Sequence, residues 1–144
     1  MKKLIIIILL LSSFTINAQD YKKLILTVKT SINKEKAIYI EPIDNDRLLI
    51  VDYLKNSLGA NGFKITTDKT EATYIITISY THRNDTGCGG RVIKQLNGQI
   101  IDAKNNAEIV ASFSFSQGPL EGKCASDIMS ALAKKLNEEA SKSQ

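Results

Sequence analysis

Between Ala72 and Ser116 apolar and polar side chains alternate along successive segments, which confines this part of the chain to a sheet with one buried and one wet face. Ala72 to His82 is the clearest segment. Tyr74, Ile76, Ile78 and Tyr80 share one face, and Thr73, Ile75, Thr77 and Ser79 share the other. Val92 to Ile101 reads as the next strand. Glu108 to Ser116 follows, with Ile109, Ala111, Phe113 and Phe115 facing inward and Ser112, Ser114 and Ser116 outward. The polar run Asp102 to Ala107 supplies a hairpin turn, so these strands form a three-strand meander.

The flanking segments complete the fold. Leu24, Leu26 and Val28 alternate with Ile25, Thr27 and Lys29 as a first strand, Ser31 to Lys36 turns, and Ala37 to Glu41 is a second short strand before Pro42. Asp44, Asn45 and Asp46 offer capping oxygens for a helix from about Arg47. Its stripe is Leu48, Val51, Leu54 and Leu58 with Ile50, and Gly59 or Gly62 ends it. Phe63 to Thr66 is strand-like. A last helix, capped by Ser126 or Asp127, runs to about Ala140 on Ile128, Leu132 and Leu136. The predicted class is α+β: an antiparallel-rich sheet of about five to six strands with two helices packed on one face. A parallel neighbour is expected where the first helix crosses between Ile40 and Phe63.

Residues 1–18 have another character. Lys2 and Lys3 precede an aliphatic run from Leu4 to Leu11 and a polar-to-small exit to Ala18, the layout of a secretory signal peptide. The run is shorter than the roughly 20 residues of a stable membrane anchor. Cleavage after Ala18 leaves a single α/β domain, residues 19–144, with a frayed C-terminus. The removed segment carries two lysines and no acid, so the net charge falls from +4 to +2. A charge that small, without a run of five like charges, excludes a nucleic-acid surface and a polybasic membrane contact. The mature chain is expected in the periplasm or secreted, with no stable membrane anchor.

In that oxidising setting the two cysteines are expected to pair. Cys88 lies in the loop between the first two meander strands and Cys124 just after the third, and a meander puts these points at one end of the sheet. The tied loops are the candidate binding residues: Arg83, Asn84, Asp85, Gly89 and Gly90 on one side, Gln117, Glu121 and Lys123 on the other. A thiol enzyme using Cys88 with His82 as base is the competing chemistry, but a disulfide would silence the nucleophile. No catalytic residue, metal site or cofactor is predicted. The spacing of Cys88, Cys124 and His82 lacks a four-ligand zinc pattern. Gly87 to Gly90 joins two strands without a Gly-Lys-Ser/Thr ending. Glu41, Asp44, Asp46 and Asp52 are read as helix-entrance acids.

Several segments carry a resemblance: Ile38 to Pro42, the helix ending at Gly62-Phe63, Glu71-Ala72-Thr73-Tyr74-Ile75-Ile76, Gly98-Gln99-Ile100-Ile101-Asp102 and Glu108-Ile109-Val110-Ala111-Ser112. Over roughly residues 37–136 the chain resembles small bacterial envelope proteins and lipoproteins, including α/β domains of curli-secretion and lipopolysaccharide-assembly lipoproteins. The Lys- and Ile-rich start ending in Asn-Ala-Gln resembles exported proteins of the Bacteroidetes. The chain lacks the lipid-bearing cysteine of the lipoprotein members near its cleavage point. The resemblance transfers no catalytic residue and implies binding or assembly in the envelope, with an envelope or extracellular protein as partner. A sheet edge, an outer strand face or the tied loops would make the contact. The alternative is a small secreted inhibitor or ligand-binding domain working through the same loops.

Overall fold

The computed structural model describes residues 23–118 and 122–142. The expected signal peptide, residues 1–18, and the candidate loop residue Glu121 lie outside the described residues. Among the described residues five strands are formed: β1 (Leu24–Val28), β2 (Ile38–Ile40), β3 (Tyr74–Asn84), β4 (Arg91–Asp102) and β5 (Glu108–Ser116). Two α-helices are described with them, α1 (Ile50–Ala60) and α2 (Ala125–Ser141). The strand order is β1-β5-β4-β3-β2.

The sheet is mixed. β3, β4, β5 and β1 pair antiparallel, whereas β2 runs parallel to β3, with Ile38 opposite Tyr74 and Ile40 opposite Ile76. α1 is the crossover that makes the parallel pair possible. The expected strand at Phe63–Thr66 is reduced to one parallel bridge, between Ile65 and Ile38. There Ile38 donates to Lys64 at 2.8 Å and accepts from Thr66 at 2.9 Å. The segment ends at once because Asp68 donates its N–H to the Thr66 hydroxyl at 3.1 Å and its carboxylate accepts from Thr70 at 2.8 Å, turning the chain away.

Cross-strand register puts Leu26, Phe113, Gly98 and Ile78 in one row and Val28, Ala111, Ile100 and Ile76 in the next, all toward the helices. α1 contributes Ile50, Leu54 and Leu58, and α2 contributes Ile128, Met129, Leu132 and Leu136 to one continuous core. Gly98 is required there. A Cβ would meet the Phe113 ring at 2.2 Å and the Thr77 carbonyl at 2.6 Å, so the ring lies over a bare backbone.

Three local readings are corrected. A bulge sits where Ile100 faces Ala111 but Ile101 faces Ile109, so Val110 is the extra residue and is buried, while Ile109 is only half-buried. The Val110 carbonyl accepts from Lys29 at 2.8 Å and Thr30 at 3.2 Å as the chain leaves β1. α1 begins at Ile50 rather than near Arg47, because Asn45 (φ 54°) and Leu49 (φ 53°) turn the entry first. Asp46 still caps it at a distance, accepting the Val51 N–H at 2.9 Å. At the far end of α1, Gly62 takes φ 82°, Phe63 donates to Leu58 and Gly62 to Gly59, the paired bonds of a Schellman stop. Finally, Cys124 rather than Ser126 or Asp127 holds the N-cap position of α2. Ile93 donates to the Lys123 carbonyl at 3.0 Å, so the chain passes from strand pairing straight into helix.

Candidate functional site

Cys88 and Cys124 form the expected disulfide, with Cα atoms 5.3 Å apart across a separation of 36 residues. The loop before it is wound tightly. The Asp85 carboxylate accepts from the Arg83 guanidinium and from the Gly87 N–H, each at 3.1 Å, and Asp85 donates to the Gly90 carbonyl at 3.0 Å. Cys88 (φ 53°), Gly89 (φ 70°) and Gly90 (φ 96°) all lie in the left-handed region, which explains the glycines. The glycine-rich stretch is a closed turn leading directly into β4.

The predicted loop residues therefore divide by role. Arg83 and Asn84 belong to β3, which runs past the expected end at His82 because the bulge between Thr81 and His82 keeps the pairing with β4 alive. Asp85 and Gly90 close the turn. Gln117 donates its N–H to Lys94 at 3.0 Å, and Lys123 bridges to Ile93. The surrounding chain uses most of these groups to build the tied end.

What the tied end displays is different. Among the described residues Ile25 (59 % exposed), Leu49 (54 %) and Tyr53 (39 %) are the large apolar side chains left open to solvent. Leu49 and Tyr53 are four residues apart at the start of α1, and both line a cleft of about 250 Å³ beside the disulfide. Arg47, Arg91, Gly89 and Ser126 complete its rim. Leu49 is also a bulky residue held at positive φ, a conformation disfavoured by its Cβ. The sequence held one signal for this pair, since Leu49 and Tyr53 fall off the apolar stripe of α1 and are apolar where the helix should be polar.

The titratable groups are dispersed. Glu41 pairs with Lys69, whose ammonium is held above its usual range by that hydrogen bond. Asp46 caps α1 and accepts the Tyr80 hydroxyl at 3.1 Å. Burial, reinforced by that carboxylate, pushes the Tyr80 phenol up. His82 is exposed, its ring centroid 6.2 Å from that of Tyr80. Cys88 has no thiol to offer while it is bonded to Cys124. Among the described residues no cluster of three His, Cys, Asp or Glu side chains is placed to hold a metal ion. No helix among them is long and apolar enough to cross a membrane.

The opposite face of the sheet is uncharged and mostly polar, with Ile25 exposed on it opposite Ser114, away from the tied end. Thr77, Gln99 and Ser112 form one rank across β3, β4 and β5, and Ser79, Asn97 and Ser114 the next. A shallow trough of about 350 Å³ runs over them.

No protein-family model matches the chain, and no curated protein matches it. Among solved structures it is similar to a PelC dodecamer from Paraburkholderia phytofirmans, with 21% identity, a TM-score of 0.53, and 79% of this chain and 93% of that one covered. It is also similar to a PDZ domain protein from Parabacteroides distasonis, at 13% identity and TM-score 0.54, covering 79% of this chain and 34% of that chain. A minor lipoprotein from Acinetobacter baumannii is more distant, at 18% identity and TM-score 0.41, covering 78% and 95%. At these identities the likeness is one of fold.

Proposed function

We propose that this chain is an exported, non-enzymatic protein of the bacterial envelope, periplasmic or secreted, that binds a protein partner through its disulfide-tied end. The observation that carries this reading is the exposure of Leu49 and Tyr53 together at the cleft beside Cys88–Cys124. Large apolar side chains rimmed by polar groups mark interaction surfaces, and tyrosine and arginine are common anchors of protein interfaces. The β2 edge of the sheet is the weaker candidate, since Lys64 and Thr66 already take up Ile38 there. Formaldehyde cross-linking in the native envelope should yield a saturable adduct with the unaltered chain. The paired change Leu49→Ala and Tyr53→Ala should abolish it while thermal stability stays near that of the parent. An adduct retained in full by this variant would count against the tied end as the binding surface.

A second reading is self-assembly, favoured by one observation: a similar fold is found as a dodecamer in PelC. Light scattering of the oxidised chain 19–144 at micromolar concentration tests it. A monomer at all concentrations would dismiss it.

A further inference from the structure

We propose that the cleft at the tied end recognises a protein segment in which one large apolar side chain is flanked by carboxylates. This rests on the reading that the tied end is the binding surface, and it adds the chemistry of the partner. At about 250 Å³ the cleft is smaller than the roughly 300–1,000 Å³ of small-molecule and cofactor sites, but it suits a single anchoring side chain. Leu49 and Tyr53 give it apolar walls that nothing in the described chain covers.

Charge selects the flanks. The ionised side chains lining the cleft are Arg47 and Arg91, both cationic. Neither has a carboxylate partner among the described residues, whereas Lys69, Arg83 and Lys142 are paired with Glu41, Asp85 and Glu139. A guanidinium presents a planar fork that matches a carboxylate. Two such forks beside an apolar pocket favour an acidic segment and repel a basic one. Because the arginines stand at the rim, they govern association rate and salt dependence, while Leu49 and Tyr53 govern residence time.

The test uses the oxidised chain 19–144 and fluorescein-labelled peptides of equal length, read by fluorescence anisotropy at about 50 mM salt. The peptides carry a central Leu flanked by Asp, by Ser or by Lys, or a central Ala flanked by Asp. The Asp-flanked Leu peptide should bind about tenfold or more tightly than each of the others. Combining Arg47→Glu with Arg91→Glu should reverse the order, so that the Lys-flanked Leu peptide binds best. Damage to the fold would weaken all peptides and could not invert the preference. Equal binding of all four, or an order unchanged by charge reversal, would overturn the proposal. A native-envelope adduct that depends on Leu49 and Tyr53 but survives charge reversal would overturn it too, and leave the tied end standing as the surface. An adduct of twice the chain's own mass would overturn it in favour of a second copy.

Discussion

Leu49 is where stability and the proposed binding role pull in opposite directions. A left-handed backbone costs a residue with a Cβ about 1–2 kcal/mol, and its side chain, 54 % exposed, recovers little of that by burial. Leu49→Gly should therefore leave the protein as stable or up to about 1 kcal/mol more stable in urea, while cross-linking to the partner falls sharply. Loss of stability would mean that the leucine packs on the cleft for structural reasons. Tyr80 gives a separate prediction. Its phenol is held above the ordinary value of about 10, chiefly by burial and then by donation to Asp46. The unfolded chain thus releases this proton first. The stabilising contribution is complete below pH 10 and is lost as pH rises through the raised value. Tyr80→Phe should flatten that alkaline limb in urea midpoints measured from pH 8 to 11, at a cost of about 1 kcal/mol near neutrality.

The strands were legible because one face of each meets the core. The expected and observed bounds of β5 agree to the residue and those of β1 to within one residue, whereas β3 is offset by two residues at each end. Period-two patterning does not encode bulges, however, and the extra residue Val110 is itself apolar, so Ile109 was placed on the wrong face. The same blindness ended β3 two residues early, at His82. Helix starts failed for another reason. The sequence offers acids at 44 and 46 and a serine at 126, but Asn45 and Leu49 at positive φ delay the start of α1, and the Ile93–Lys123 bridge carries the chain into α2 at Cys124. Gly98 looked like any strand glycine, and only the register with Phe113 shows its purpose. Gly98→Ala should destabilise the sheet by about 1–3 kcal/mol in chemical denaturation, because the Thr77 carbonyl cannot yield as a side chain would. A neutral effect would mean that the ring does not lie over the strand.

For the molecule as a whole, the disulfide joins the two loops that frame the cleft, and the N-terminal ends of both helices line it. Replacing Cys88 and Cys124 by serine should lower stability by about 3–4 kcal/mol, by the entropy of a 36-residue loop, seen as a lower urea midpoint. The tied loops were found from cysteine placement, but the displayed residues come from the entry of α1, which reaches the disulfide only through the crossover between β2 and β3. The central claim is that this end, rather than the uncharged sheet face, meets the partner. The most direct measurement places a photo-cross-linking amino acid at Tyr53 or at Asn97 in the full chain and compares adducts formed in the native cell envelope. Binding at the tied end gives one discrete heterologous adduct from position 53 and none from position 97. Adducts from position 97 alone would contradict it and move the binding surface to the opposite side of the sheet.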